Sequence, residues 1–488
     1  MIFYKNLKPH KDVKNKTLVF SLFDEGVKTK DDSVSKPNLC KKVFNFDFQS
    51  GALLPGLGIR ELQIPTNIST MAGMHPIVIS SFTPTNLIQD RWYNADNGTY
   101  HQKIMIVGDD HCVYAVPIPD IFDGVPGLLA NRLTSQPSCV CNYRIGDEDG
   151  TLYFAKNGAL FLSYNQNLLF TDVPEMVSCV VHYNRFFGIL KNERNKLIYT
   201  TKTNLQQWTT GEQTQVVEFL DDKGLFTKLV KFNDYVYLFM EYGITKISVY
   251  SASNDFSYTH LYLSSTRIFE NSIQVCGDKI VFATNEGLYA FNGNSVTKIL
   301  SDYDVYFKDL ENKNCTSASF DGKYYLASKL KSEDDGICTN NVLFEIDINA
   351  KNVNICKGVD IKKMAVLQTD VMRGVLVLFN DSNSLKIGEI THDGNLFSDS
   401  LKKSWTSFET DLGQEAKRKH IKKIFLQTST ECKVKIKSDE DEKEYDFCGD
   451  SKIQELPVNI CGNLFQFIFE TESENCKICK PVIGFDVL

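Results

Sequence analysis

The chain has 488 residues, of which 42% are hydrophobic and 12% aromatic, and its formal net charge is −8. This length allows more than one hydrophobic core, and the apolar fraction excludes a wholly disordered chain. The negative charge argues against a protein that binds nucleic acid independently of sequence, because such binding needs a basic surface.

The first 75 residues differ from the rest of the chain. KTLVFSLFDEGV (Lys16–Val27) is typical of a strand that enters a turn, and the polar stretch after it has few apolar residues to anchor it. NFDFQSGALLPGLGI (Asn45–Ile59) follows, with three glycines. We therefore predict an N-terminal arm over residues 1–75, laid over a larger body. Charges interrupt every apolar stretch near Met1, so we expect no secretory signal, and no run approaches the ~20 apolar residues that span a bilayer.

A strand-rich region begins near Pro76. Paired apolar runs are separated by short polar turns such as KNG, FND, CGD and FDG. Glycine, asparagine and aspartate favour such turns because they tolerate positive φ. In YVYLFM (Tyr235–Met240) almost every residue is apolar, as in a strand that neighbouring sheets cover on both faces.

The strand pairs recur at a regular distance along the chain. When Asn184, Asn233, Gly277 and Asp321 are taken as equivalent positions, the spacings are 49, 44 and 44 residues. Periods of about 40–50 residues with four strands each are typical of β-propeller blades. We therefore predict an all-β protein whose main body is a β-propeller of five to seven blades.

The pattern changes after residue 412. About six short apolar runs follow, and two of them, CKVKIK and KPVIGFDVL, alternate cleanly. Such alternation predicts strands with one buried face. We assign residues 76–412 to the β-propeller and residues 413–488 to a small C-terminal β-sandwich.

Five of the 14 cysteines lie in the C-terminal segment, where CKIC has the two-residue gap of a zinc knuckle. A knuckle normally pairs with a second CxxC, which this sequence lacks. Residues three apart in a strand also point to opposite faces. We predict buried free thiols in a reducing compartment, and no metal or other cofactor. The five cysteines are Cys432, Cys448, Cys461, Cys476 and Cys479.

Acidic residues cluster at 147–150, 333–336 and 438–444, but none of these clusters has the spacing of an EF-hand calcium loop. Each lies between two apolar runs, which favours a solvated hairpin turn. The segment Asp109–Cys112 combines acidic, histidine and cysteine side chains, as nucleophilic sites do. We place it on a strand, where adjacent side chains face opposite ways and form no triad.

No G-x-S-x-G, P-loop or H-E-x-x-H motif occurs, so we assign no catalytic residue and predict that the chain is not an enzyme. One alternative is a carbohydrate-active enzyme whose carboxylates come from several blades and meet at the propeller axis. Another is a glycan-binding module, because Trp92 and Trp208 lie beside amides on predicted loops. Packing of Trp208 and Trp405 against strands or linkers is the simpler interpretation.

Both ends of the chain resemble a known group of proteins. LVFSLFDEGVKTKDD and NFDFQSGALLPGLGI are similar to the entry segment of propeller-containing virion proteins from tailed bacteriophages and prophages. The runs KHIKKIFL, CKVKIKSDEDEKEYDF and KPVIGFDVL resemble the sandwich that closes such proteins. The resemblance is to proteins of the head-closure, packaged-DNA stabilisation or tail-hub type, and it brings no catalytic residues.

The resemblance implies a structural virion protein that assembles in multiple copies at the head-to-tail junction or in the tail. Its partners would be other virion proteins, such as portal, neck or tail components, in a homo-oligomeric ring. DNA would lie nearby without sequence-specific binding, and no membrane is expected. The protein would be made in the host bacterial cytoplasm and reside in the virion. The alternative within the same resemblance is a receptor- or glycan-binding propeller module of the tail.

Overall fold

The structure is a computed structural model. It describes residues 16–19, 40–47, 52–62, 83–94, 99–115, 133–145, 148–163, 167–200, 214–218, 223–249, 256–333, 336–337, 339–368, 372–381 and 384–488. Nearly every element is a β-strand, as the abundance of Phe, Tyr, Val and Ile in short apolar runs predicts. One helix, α1 (Asp304–Lys308), and two 3-10 turns, Glu270–Ser272 and Ser301–Tyr303, are the helical elements of the described residues.

The strands follow one another closely along the chain. Those before residue 62 are β1 Lys16–Val19, β2 Cys40–Phe44, β3 Phe46–Asp47, β4 Ala52–Pro55 and β5 Gly58–Glu61. The middle of the chain contains β6 Pro84–Asn94, β7 Thr99–Gly108, β8 Val113–Ala115, β9 Cys139–Ile145, β10 Glu148–Ala155, β11 Gly158–Ser163, β12 Asn167–Thr171, β13 Met176–His182, β14 Arg185–Leu190, β15 Lys196–Thr200, β16 Thr214–Glu218, β17 Phe226–Phe232, β18 Tyr235–Met240, β19 Gly243–Ser248, β20 Ser257–Leu263, β21 Gln274–Cys276, β22 Lys279–Thr284, β23 Gly287–Phe291, β24 Val296–Ile299, β25 Leu310–Phe320, β26 Lys323–Leu330, β27 Val342–Asp347, β28 Asn352–Lys357, β29 Ile361–Gln368, β30 Arg373–Asp381 and β31 Ser384–Thr391. The last strands are β32 Asn395–Leu396, β33 Asp399–Ser400, β34 Lys403–Ser407, β35 Lys419–Thr428, β36 Cys432–Ser438, β37 Glu442–Phe447, β38 Ile453–Gly462, β39 Phe465–Thr471 and β40 Ile478–Val487. No helix in these segments has both the length and the apolar character needed to cross a membrane.

The chain divides into two compact units. The sandwich unit contains residues 1–60, 352–358 and 391–488, and the propeller unit contains residues 61–351 and 359–390. These boundaries differ from the predicted ones at residues 75 and 412, because strands far apart in the chain pair with one another. In the sandwich unit, β2 pairs with β34 and β4 pairs with β40. The segment predicted as an arm therefore supplies strands to the same unit as the C-terminus.

The propeller unit contains seven antiparallel sheets of consecutive strands among the described residues. In chain order, the strands that this unit contributes to these sheets are β6–β8, β9–β12, β13–β16, β17–β20, β21–β24, β25–β27 and β29–β31. This confirms the predicted all-β propeller, and seven is the upper limit of the predicted number of blades.

The four positions taken as equivalent in the sequence occupy the same place in successive sheets. Asn184, Asn233, Gly277 and Asp321 each lie in the turn between the first and second strands of a sheet, with φ of 55°, 46°, 59° and 50°. Such backbone is open to glycine, and asparagine and aspartate adopt it more readily than other residues. The period of the sequence is therefore the period of the sheets.

Alternate side chains of one strand belong to different buried clusters. On β7, Ile104 and Ile106 cluster with residues of the seventh sheet, whereas Met105 and Val107 cluster with residues of the second. All four are at most 2% exposed. Both faces of the first sheet are therefore covered, and its contact with the seventh sheet closes the ring.

The remaining sheets are joined in the same order. Buried clusters connect the second sheet to the third, the third to the fourth and the fourth to the fifth. The Tyr324 hydroxyl donates to the Ser272 carbonyl at 2.6 Å, linking the sixth sheet to the fifth. The Leu62 amide donates to the Ile387 carbonyl of β31 at 2.9 Å, so the start of the propeller unit binds to the edge of its last sheet.

The sandwich unit has two sheets. Their strand orders are β3-β4-β40-β35-β38, with β1 beside β40, and β2-β34-β39-β36-β37. In β36, Cys432, Val434 and Ile436 are buried while the residues between them are not, which confirms the alternation predicted for CKVKIK. Each sheet of a sandwich needs one such apolar face to form the common core.

Candidate functional site: the axial cavity of the propeller unit

The first strands of the sheets surround the axis of the propeller unit. The strands β9, β13 and β17 contact one another in succession, and β25, β29 and β6 do the same farther round the ring. A cavity of about 690 Å³ lies against β9, β13 and β17. Its position at the axis is the usual location of a binding site in a closed ring of sheets.

Most of the charged side chains that line this cavity are cationic. Arg144, Lys228 and Lys231 line it, together with a single carboxylate, Asp149. The Arg144 Nε lies 3.7 Å from the Asp149 Oδ1, so this carboxylate already has a cationic partner. Positive charge is therefore concentrated at the axis of a chain whose net charge is −8.

Lys228 is the least exposed of these cations. Its Nζ donates to the Ile273 carbonyl at 2.7 Å. Burial lowers the pKa of the Lys228 ammonium from 10.5 to about 8, although Cys315, Glu270 and Cys139 act in the opposite direction. Burial likewise lowers the pKa of Lys363 on β29, which interacts with Cys315 and Glu270.

Glu270 is the carboxylate that these two lysines share. Its Oε2 lies 3.1 Å from the Arg194 guanidinium, which also donates through Nε to the Phe226 carbonyl at 2.9 Å. Burial, followed by the charge of Glu270, raises the pKa of the Cys315 thiol to about 12, so this thiol is neutral at ordinary pH. We call Arg194, Lys228, Lys363, Glu270 and Cys315 the axial cluster.

Three further thiols lie on the inner strands. Cys139 and Cys141 on β9 and Cys179 on β13 are all buried in the cluster between the second and third sheets. Burial raises the pKa of Cys139 and of Cys179 well above the usual thiol value. Within the described part of the chain, no group of three or more His, Cys, Asp or Glu side chains is arranged to hold a metal ion.

The segment Asp109–Cys112 lies in the turn between β7 and β8, so the prediction that it forms part of one strand was wrong. Asp109 accepts a hydrogen bond from the Thr83 amide at 2.9 Å, and Asp110 accepts from the Cys112 amide at 3.0 Å and from the Tyr114 hydroxyl. Both carboxylates therefore stabilise the turn by capping backbone and side-chain donors. Polar residues in such turns commonly bond their neighbours in this way.

The five C-terminal cysteines differ widely in exposure. Cys432 and Cys476 are buried, Cys461 and Cys479 are half-buried, and Cys448 is exposed. Burial raises the pKa of the Cys432 thiol far above its usual value, which favours the protonated form over a metal-binding thiolate.

The other sequence candidates have structural roles where the structure describes them. Residues 438–444 include the turn between β36 and β37, closed by a hydrogen bond from the Ser438 amide to the Asp441 carbonyl at 2.7 Å, as predicted. Trp405 is fully buried and packs on Phe469, with ring centroids 5.7 Å apart. Trp208 and the side chain of Trp92 lie outside the described residues, as do parts of the acidic runs 147–150 and 333–336.

Sequence reasoning missed the axial cluster. Lys228, Lys363 and Cys315 are single residues in three strands that are widely separated in the sequence. Lysines within a largely apolar first strand, as in FTKLVKF, were the available signal. Only ring closure brings such positions together.

The fold and this cavity define a β-propeller protein with an additional sandwich unit. No protein-family model and no curated protein matches the chain. Similar solved structures include virginiamycin B lyase from Staphylococcus aureus (11% identity, TM-score 0.38, 69% of this chain and 99% of that chain) and BamB from Moraxella catarrhalis (11%, 0.36, 71% and 93%). The N-terminal domain of Nup159 is similar at 12% identity and a TM-score of 0.38, over 69% of this chain and 96% of that chain. These are β-propellers, and at this level the likeness concerns the fold alone.

Proposed function

We propose that the chain is a structural protein of a tailed-phage or prophage particle, assembling in multiple copies at the head-to-tail junction or in the tail. The resemblance of both chain ends to virion propeller proteins motivates this proposal. The observation that carries it is a set of exposed apolar side chains on the outer strands of the propeller unit.

This surface lies on three successive sheets. Leu169 on β12, Val216 on β16 and Leu263 on β20 are 52%, 54% and 59% exposed, and Leu168 beside Leu169 is also exposed. These strands are the outermost strands of the second, third and fourth sheets. We call these four residues the apolar rim. Exposed aliphatic side chains that recur on the outer strands of successive sheets are candidates for contact with a protein partner.

A second copy of the chain is the partner we propose for the apolar rim. Symmetric homo-oligomers use the same surface in every copy, so exposed aliphatic side chains on the outer strands would form the same contact in each copy. The axial cavity gives no support to hydrolysis by paired carboxylates, because its one carboxylate, Asp149, faces Arg144. The proposal therefore assigns the chain no reaction.

Purified particles from the cell that encodes the chain test the proposal directly. Quantitative mass spectrometry should find the chain in several copies for each portal ring, and electron microscopy with labelled antibody should place it at the neck or tail. Absence of the chain from intact particles would refute the structural role.

Rim variants test the assembly surface. The double substitution Leu169→Glu and Leu263→Glu should reduce incorporation into particles at least tenfold, because burying two carboxylates in an apolar contact is costly. Val305→Glu is the matched control, since Val305 is 51% exposed but lies on α1 rather than on the rim. Equal incorporation of both variants would exclude the rim as the contact surface.

A further inference from the structure

The strand β12 lies at the outer edge of the second sheet. It pairs with β11 along Asn167–Thr171 and is the outermost strand of that sheet. Among the strands that the structure describes, none pairs with its other edge. Along such an edge, backbone amide and carbonyl groups point outward and can pair with a further strand.

This strand lacks the features that protect other edge strands. Its sequence, NLLFT, has no charge and no proline, and its register with β11 has no shift. The outermost strands of the next three sheets differ, because β16 ends in Glu218, β24 contains Lys298, and the pairing of β20 shifts register between Ile244 and Thr245. Charges, proline and bulges are the usual devices against pairing between edges. The edge of β12 is therefore suited to the addition of a strand.

Both faces of β12 present exposed aliphatic side chains. Leu168 and Leu169 are 38% and 52% exposed. They lie opposite Phe161 and Leu160 of β11, which belong to the buried clusters on opposite faces of the second sheet. Adjacent side chains of a strand point to opposite faces, so a strand added beside β12 would contact apolar side chains on each face.

We propose that β12 pairs antiparallel with β12 of a second copy of the chain, so that two sheets of four strands become one sheet of eight. A two-fold axis at the centre of the strand places Leu169 opposite Leu169 of the other copy and Leu168 opposite Phe170. A charged residue at the centre would face its own like charge across this axis, and β12 has no charged residue. The strand is therefore complementary to itself, as a two-fold contact requires.

The contact of one short strand is small. Stable complexes bury about 1,200–2,000 Å² in total, and a pair of short strands covers less, so we expect a dimer that dissociates on dilution. The inference shares Leu168 and Leu169 with the apolar rim, but it concerns the purified chain in solution. It therefore holds or fails independently of the proposed role in a particle.

Sedimentation velocity of the purified full chain over a hundredfold range of concentration tests the proposal. We expect an equilibrium between monomer and dimer. Leu169→Lys should weaken the dimer at least tenfold, because it places two ammonium groups opposite each other at the axis. Val216→Lys is the matched control, since Val216 is 54% exposed on the outermost strand of the third sheet. A monomer at every concentration, no effect of Leu169→Lys, or equal weakening by both substitutions would overturn the proposal.

Cysteine cross-links identify the register and the partner. In a Cys448→Ser background, which removes the exposed thiol among the described cysteines, Leu169→Cys should give a disulfide-linked dimer with oxidised glutathione. Leu263→Cys is the control, because Leu263 is 59% exposed but lies on β20. Equal rates for the two variants would indicate random collision and count against the pairing. A cross-link from Leu169→Cys to a different protein of the cell extract, in place of the dimer, would show that another chain occupies the edge.

Discussion

Asn45 connects three distant segments of the sandwich unit. It is 3% exposed and has φ of 61°. Its Nδ2 donates to the carbonyls of Lys357 and Lys402 at 3.0 and 2.7 Å, and its Oδ1 accepts from the Lys357 amide at 2.7 Å. Its own backbone amide donates to the Ile355 carbonyl at 2.8 Å. The Asn45 side chain therefore supplies the hydrogen bonds that join these segments where strand pairing does not.

Asn45→Gly should lower the free energy of unfolding of the sandwich unit by about 3–5 kcal/mol. The substitution keeps the positive φ and removes three side-chain hydrogen bonds, leaving buried backbone groups without this partner at about 1–3 kcal/mol each, partly offset where water enters. Asn45→Ala should cost about 1 kcal/mol more, because alanine adopts positive φ less readily than glycine. The difference between the two variants separates the hydrogen bonds from the backbone conformation.

Urea unfolding followed by Trp405 fluorescence measures this effect. Trp405 lies in the core of the sandwich unit, and Trp92→Phe and Trp208→Phe in the parent protein remove the other two tryptophans. Asn475→Gly is the control, because Asn475 also has positive φ but is an exposed residue of the same unit. If Asn45→Gly unfolds within about 0.5 kcal/mol of the parent, the side-chain hydrogen bonds do not hold these segments together.

Two further predictions concern ionisable groups. The stability of the propeller unit should rise as the pH increases from about 8 to 10.5, because unfolded Lys228 retains a proton that the folded state has already released. The contribution is at most about 3 kcal/mol, at about 1.4 kcal/mol for each tenfold change in proton affinity, and Lys228→Met should remove it. Separately, iodoacetamide should modify exposed Cys448 in the folded protein well before buried Cys356, whose pKa burial raises to about 12.

Each of these has a clear contrary result. Lys228 interacts with Cys315, Glu270 and Cys139 and shares its cavity with Arg144, Asp149 and Lys231, so the comparison is the difference in pH dependence between parent and Lys228→Met. Identical slopes in urea unfolding from pH 7.5 to 10.5 would show that Lys228 keeps its ordinary proton affinity. For the thiols, peptide mass mapping should show that the early iodoacetamide product of the parent protein is missing in Cys448→Ser. Early labelling of Cys356 would show that the sandwich unit opens locally.

The propeller could be predicted because its determinants are local. Each turn at Asn184, Asn233, Gly277 and Asp321 depends on a residue that tolerates positive φ, and each adjoining strand on a short apolar run. These features repeat with the sheet, so the period appears in the sequence. The pattern of β36 was predictable for the same reason, because apolar and polar residues alternate in a strand that buries one face.

Only the tertiary structure decided which distant segments pair with each other. The chain around Asn45 was predicted as an arm, yet its strands pair with β34 and β40 more than 350 residues later, because a strand edge accepts any partner with matching register. The cations that line the cavity likewise lie on strands far apart in the sequence, β9 and β17, which are brought together by β13 between them. The amino-acid sequence determined the sheets and their turns, since those depend on neighbours along the chain. Ring closure and long-range pairing determined the cavity and its excess of positive charge, since these depend on neighbours in space.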